Sequence, residues 1–213
     1  NYVLSGYYRG DVQGTAQVQW VRVESRYQVH LDVVVGPGFA PLFSRRMSSD
    51  GELDEHGLSP RRYDEETKMA FHDPRRVTMW FEPDHIVMAN GRQHPGVAGV
   101  QDTASQFVQL TWMFTLNPDL LQAGRTVELP LALPRRVDPW IYDVVGPEQL
   151  YTPIGPIDTV HLKPRREARP GDILSSELWF APSLQYLPVR ILIHQDAQTF
   201  IDLLLAALPV QGE

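Results

Sequence analysis

The chain has 213 residues, 43% of them hydrophobic, with a formal net charge of -7 at pH 7 and no cysteine. That length supports one sizeable core. The acidic balance argues against a nucleic-acid ligand, because phosphate binding needs a surplus of Lys and Arg, and the lack of Cys excludes a disulfide framework, a thiolate metal site and a Cys nucleophile.

Five Trp, eight Tyr and eight Phe indicate an ordered globular core, not a disordered segment. No apolar run reaches the ~18–20 residues needed to cross a bilayer; Ile201 to Val210 comes nearest but is short and contains Asp202. No membrane span is therefore expected within this chain. No signal-peptide pattern is present, and an anchor or leader is expected only upstream of Asn1.

In chain order the pattern is that of strands. Tyr2, Leu4, Gly6 and Tyr8 alternate with Val3, Ser5 and Tyr7; Gly10-Asp11 turns the chain; Ala16, Val18 and Trp20 alternate with Gln17 and Gln19. Val29, Leu31, Val33 and Val35 alternate with His30, Asp32 and Val34 until Gly36-Pro37-Gly38. Period-two runs joined by short turns predict an antiparallel meander, since parallel pairing needs long crossovers. From Phe39 to Glu66 the pattern loosens and charge accumulates, with turn signals at Asp50-Gly51 and His56-Gly57. Two short strands follow, Arg76 to Glu82 and His85 to Ala89, joined at Pro83-Asp84, and Asn90-Gly91 is a type I′ hairpin signal.

Val97 to Gly124 is the one stretch that reads as helical. Asp102 stands where an N-cap belongs, able to accept from the backbone N–H groups of Thr103 to Ser105. Ala104, Phe107, Val108, Thr111 and Phe114 recur at helical spacing, predicting a helix over about 102–116, and Asn117-Pro118 stops it and opens a short turn over about 118–123 with Gly124 as its exit. Strands then resume. Val127, Leu129, Leu131 and Leu133 alternate with polar or small residues, and Pro130 removes a ladder donor, which places that strand at an edge or a bulge. Trp140, Tyr142 and Val144 form another run, Ile154-Gly155-Pro156-Ile157 a turn, and Leu174 to Phe180, Leu187 to Ile193 and Thr199 to Leu205 the last strands, with the Asp196-Ala197 region as punctuation.

Five Arg-Arg pairs stand out: 45-46, 61-62, 75-76, 135-136 and 165-166. Neighbours on a strand point to opposite faces, so a pair inside a strand directs one guanidinium toward the apolar side, where it must be paired or solvated. Strand parity puts Arg135 and Arg166 on that side. One reading has these arginines fork to Asp50, Glu52, Asp64, Glu65 or Glu66 at strand ends; the other has several, among them Arg45, Arg62, Arg135 and Arg166, converge on an anionic group. Phe107, Trp112, Phe114, Trp140, Tyr142, Trp179 and Phe180 could line a ligand groove or simply pack helix on sheet. The seven histidines show no metal-ligand spacing and the Asp50–Glu55 acidic turn no calcium-loop spacing, so no metal and no cofactor is expected. No nucleophile motif marks a Ser, and Ser105 beside Asp102 has helix-start spacing; no catalytic residue is assigned.

The order Tyr2-Val3-Leu4-Ser5-Gly6, Ser49-Asp50-Gly51, Gly57-Leu58-Ser59-Pro60-Arg61-Arg62-Tyr63, Gly99 to Ser105, Thr152-Pro153-Ile154-Gly155-Pro156, Trp179-Phe180-Ala181-Pro182 and Leu187-Pro188-Val189-Arg190 resembles DUF3108, an uncharacterised bacterial family. The resemblance covers most of the chain. It implies an exported or membrane-anchored envelope protein, with this β-rich domain in the periplasm, and no reaction. The half-barrel lipoprotein carriers of the periplasm offer a looser, fold-level analogy.

The expectation is a single all-β domain over 1–213, a strongly curved antiparallel sheet rolled into a barrel-like or spiral β-roll around one central α-helix. Its expected function is a non-enzymatic envelope module that binds a hydrophobic or anionic ligand (lipid, sugar or another anionic small molecule) through Arg45, Arg62, Arg135, Arg166, Trp112, Trp140 and Trp179. An envelope protein bound through exposed strand edges is the second reading, and a hydrolase with an unmarked Ser/His/Asp site the third.

Overall fold

The computed structural model describes residues 1–8, 10–37, 40–165, 175–194 and 198–210. In chain order its strands are β1 (Tyr2–Tyr7), β2 (Asp11–Val23), β3 (Arg26–Val35), β4 (Phe43–Asp54), β5 (Gly57–Met69), β6 (Arg75–Phe81), β7 (His85–Val87) and β8 (Gln93–Pro95). After the helix α1 (Ser105–Leu116) and a 3₁₀ turn over Pro118–Leu121 come β9 (Thr126–Leu133), β10 (Arg136–Thr152), β11 (Gly155–Pro164), β12 (Ser175–Ala181), β13 (Leu187–His194) and β14 (Phe200–Leu205). All fourteen lie in one sheet in the order β8-β7-β6-β5-β4-β3-β2-β1-β14-β13-β12-β11-β10-β9, every pair antiparallel. The sheet is two meanders joined where β1 pairs with β14.

The order does not close, for β8 and β9 are its two ends. Yet the ends lie close together. Only the loop 96–100 separates β8 from Gln101, which bridges in parallel to Leu131 of β9: Gln101 N–H donates to the Pro130 carbonyl at 2.9 Å and the Gln101 carbonyl accepts from Ala132 N–H at 2.7 Å. Ala89 N–H also reaches the Pro134 carbonyl at 3.2 Å. The sheet is thus rolled barrel-like, with the segment before α1 lying along its open seam. Pro130 sits in the outermost strand, opposite Pro139, its carbonyl turned out to Gln101.

Strand glycines permit the curl. Gly6 and Gly14 lie inside β1 and β2, and a Cβ on either would be driven into the neighbouring backbone, the Phe200 carbonyl for Gly6 and the Val34 carbonyl for Gly14. Glycine allows the close approach that a strongly coiled sheet demands.

Alternation decides the faces. Tyr2 and Leu4, Tyr27, Val29 and Leu31, Leu129 and Leu131, Tyr142 and Val144, Leu178 and Phe180, and Leu203 and Leu205 all point inward and are buried. The helix packs among them: Leu110 and Phe114 are fully buried, and Phe114 meets Phe180 edge-on with ring centroids 4.9 Å apart. Ala104, Phe107 and Phe114 of the face the spacing predicts are buried, and the buried face widens to one side of it. Gln106 and Gln109 are buried, whereas Val108 and Thr111 are only half-buried, because the Gln109 amide is used to hold a hairpin: Leu58 N–H donates to Gln109 Oε1 at 2.8 Å and Gln109 Nε2 donates to the His56 carbonyl at 3.2 Å. The predicted loosening between Phe39 and Glu66 is also corrected. β4 and β5 are two of the longest strands, and Asp50-Gly51 is a register shift within their ladder, not a turn.

Candidate functional site

At the start of α1 a buried polar chain ties helix to sheet. Asp102 Oδ1 accepts from Ala104 N–H and Ser105 N–H, each at 2.9 Å, and Asp102 N–H donates to Ser105 Oγ at 2.9 Å. This is a reciprocal capping box. The other carboxylate oxygen accepts from Ser49 Oγ of β4 at 2.6 Å, and Ser49 lies 3.0 Å from Tyr27 Oη of β3. With the Ser49 proton committed to the carboxylate, the Tyr27 hydroxyl is the donor in that contact. Asp102, Ser49 and Ser105 are all buried. Burial pushes the Asp102 carboxyl up to about 6 against the opposing pull of its donors, and burial together with the nearby Asp102 charge raises the Tyr27 phenol. A Ser beside an Asp invites a hydrolytic reading, but here the third partner is a tyrosine and the geometry is that of a cap.

The helix plugs one end of the roll. Gln109 holds the β4–β5 hairpin, and Thr111 Oγ1 donates at 2.9 Å to the Tyr186 carbonyl in the β12–β13 turn; antiparallel order puts those two turns at the same end. Toward the opposite end the inner face becomes half-buried; it is apolar on the β1–β3 and β13–β14 side and polar on β5 and β6, where Glu65, Thr67 and Arg75 share the face. Val12, Val33, Phe43, Ile193 and Ile201 line it, with Gly6 and Gly14 adding no side chain between them.

Into that end points Arg45. It pairs with Val33 and Thr67 across the ladder, shares the face of the buried Met47 and Ser49, and keeps a side-chain exposure of 32%. Its Nε donates to Thr67 Oγ1 at 3.2 Å and lies 3.5 Å from Glu65 Oε1. Glu65 is itself held by Tyr63 Oη at 2.9 Å and Thr67 Oγ1 at 3.1 Å. The Arg45 guanidinium carbon stands 5.4 Å from the Phe43 ring centre. Among the described residues, the Nη groups of Arg45 donate no hydrogen bond, so the outward fork of the guanidinium is open.

The other residues singled out by sequence do not join it. Arg62 is on the outer face, its Nε 2.6 Å from Asp64 Oδ2 and its guanidinium 4.7 Å from the Trp80 ring centre. Arg135 is exposed in the tight turn between β9 and β10, since the strand ends at Leu133 before its parity can carry an arginine inward. Arg166 lies outside the described residues. Trp140 faces the interior from β10 and Trp112 lies half-buried on α1; the indole nitrogen of each is buried with no hydrogen-bond partner among the described residues. Trp179 faces outward. It stacks on His161 at 4.1 Å, lies 4.7 Å from the Arg190 guanidinium and donates through Nε1 to Glu148 at 2.8 Å, while His161 Nε2 meets Glu177 at 2.8 Å and Arg190 forks onto Asp202. That ladder is satisfied within itself.

The arginine pairs mostly fork to carboxylates: Arg46 to Asp32, Arg61 to Glu52, Arg76 to Glu66, Arg136 to Asp138 and Arg165 to Asp143. Sequence parity pointed to Arg135 and Arg166 as the inward members, whereas the inward Arg45 lies on β4, a strand whose alternation is masked by charge on both faces. Parity could not show that Gln101 and Gln109 are buried fasteners, because isolated glutamines carry no periodic signal.

A family model described as "Protein of unknown function (DUF3108)" matches residues 1–203. Among solved structures, the chain is similar to a beta-barrel-like protein of domain of unknown function DUF1849 from Brucella abortus, with a TM-score of 0.57 and 10% identity over 95% of this chain and 92% of that one. A DUF1089 family protein from Pseudomonas aeruginosa matches at a TM-score of 0.35 and 10% identity over 87% of each chain. The first likeness is one of fold, and the second carries no argument. No curated protein matches the chain significantly.

Proposed function

The chain belongs to the DUF3108 family of proteins of unknown function, and we propose that it is a non-enzymatic module of the bacterial envelope, working in the periplasm, whose inner sheet face holds an anionic amphiphile. The observation that carries this reading is the open guanidinium fork of Arg45 inside a partly apolar, half-buried end of the roll. The guanidinium is one-third exposed and already has Thr67 and Glu65 on its Nε side, which leaves its Nη groups for an incoming anion. Glu65 meets only the Nε side at 3.5 Å, so the fork is free for a carboxylate or phosphate, which it matches bidentately. Val12, Val33, Phe43, Ile193 and Ile201 then offer the surface on which an acyl chain loses its contact with water. The helix closes the far end and sets how deep the chain can run.

The test is a titration with a fluorescent long-chain fatty acid. The wild-type protein is expected to bind it, and Arg45→Met, which keeps the packing over Phe43 but removes the fork, is expected to bind it about tenfold more weakly. A long-chain alcohol should bind both proteins alike. Failure of the wild-type protein to bind the fatty acid, or equal affinity in the variant, overturns the reading.

A further inference from the structure

The outer face holds a second feature, independent of the amphiphile site. Outward residues of β2 to β6 line an open surface groove of about 550 Å³. The register sets its outward lining in two rows. Gln19, His30, Ser48, Asp64 and Thr78 follow one another across the five strands, and Asp32, Arg46, Glu66 and Arg76 form the neighbouring row across four of them.

The charges in this groove are already committed. Arg46 lies 3.3 Å from Asp32, Arg76 Nη2 2.8 Å from Glu66 and Arg62 Nε 2.6 Å from Asp64, while Thr78 Oγ1 donates to Asp64 at 2.6 Å. An ionic ligand would have to break one of these pairs. A hydroxyl would not, because it donates to the carboxylate and accepts from the guanidinium at once and so bridges a pair without separating it. Among the described residues, the side chains of Gln19, His30 and Ser48 make no hydrogen bond; each both donates and accepts, and together they form an uncommitted polar strip along the groove floor. Two residues beyond Thr78 on the same face of β6, next to the groove and not part of its lining, Trp80 is 44% exposed. The Arg62 guanidinium lies over its ring, 4.7 Å from the centre, so a sugar ring would meet the part of the indole that Arg62 leaves exposed.

We infer that this groove is a carbohydrate site, taking a neutral oligosaccharide whose hydroxyls bridge the paired carboxylates and guanidiniums while one ring stacks on Trp80. The ligand class follows from charge that is already paired, a strip of hydrogen-bonding groups without partners among the described residues, and one adjoining aromatic. Among the described residues no cluster of His and carboxylates suits a metal ion.

The experiment is an amide NMR titration of the intact protein with maltotriose and with chitotriose, with inorganic phosphate as the ionic control. The expected result is saturable shifts at Gln19, His30, Ser48 and Thr78 with at least one trisaccharide and none there with phosphate. Affinity should fall about tenfold in Trp80→Ala and in His30→Ala, with thermal stability unchanged in both because the altered side chains are on the outer face. A hexasaccharide separates the sources: affinity equal to the trisaccharide's marks a free oligosaccharide, and a higher one marks a polymeric glycan, each supporting the site. Absence of shifts with both trisaccharides, shifts that survive both substitutions, or shifts at these amides with phosphate alone would overturn it. Failure of the fatty-acid titration leaves this result untouched, since the two sites lie on opposite faces of the sheet.

Discussion

Asp102 shows how one buried carboxylate can organise a helix start. It satisfies two backbone donors of the first helical turn and takes the Ser49 proton, so helix, β4 and β3 are joined through a chain of hydrogen bonds ending at Tyr27. The cap was legible in the sequence, since Asp three residues before Ser at the head of an apolar run is a recognisable signal. The anchor to Ser49 was not, because it joins residues far apart in the chain. Removing the carboxylate as Asp102→Ala is expected to cost about 2–4 kcal/mol, the lost cap plus unsatisfied buried partners, measurable by urea unfolding. The group also confers a pH dependence. Its folded-state value of about 6 lies above the ordinary 3.8, so between those values the folded protein holds a proton that the unfolded chain releases. Its contribution to stability therefore declines as pH rises from 3.8 to about 6 and is level above that. Asp102→Asn should remove this slope from the pH profile of the unfolding free energy, and a profile unchanged by the substitution would contradict the assignment.

At the scale of elements, two devices set the shape. The first is glycine in strands: a side chain at Gly14 meets the Val34 carbonyl, so Gly14→Ala is expected to destabilise by about 2–4 kcal/mol, whereas Thr15→Ala next to it should be near neutral, a difference that thermal unfolding would register. The second is Gln109, whose amide holds the β4–β5 hairpin against α1. Gln109→Ala strands the Leu58 N–H, at a cost of about 1–3 kcal/mol, and should speed amide exchange at Leu58 while leaving the β13–β14 ladder protected. Equal acceleration in both places would mean that the helix does not act locally. Most strands were legible because period-two alternation survives wherever one face is buried. β4 and β5 were not, because both faces carry charge there: Arg45 and Glu65 point inward, and Arg46, Asp64 and Glu66 outward. Pro130 did signal an edge, and β9 is one, though the bridge to Gln101 occupies part of that edge and weakens the case for strand addition there.

For the molecule as a whole, the seam segment and the helix work together. The chain leaves one edge of the sheet at β8, lies along the other edge at Gln101, and then plunges inward as α1. This route rolls the sheet around the helix and fills one end, while the other end retains a partly apolar inner face with Arg45 in it. Sequence could propose that arginines converge, but not which ones, since convergence depends on register and on where strands stop; Arg135 falls in a turn, Arg62 outside and Arg45 inside. The most direct test of the inner-face account uses a fatty acid carrying a nitroxide near its methyl end, with line broadening followed residue by residue in the NMR spectrum. The account predicts strong, saturable broadening at Val12, Val33, Ile193 and Ile201, little at outward residues such as Gln19 and Thr78, and loss of the effect when unlabelled fatty acid competes. Broadening spread evenly over the surface, or confined to the outer face, would contradict it.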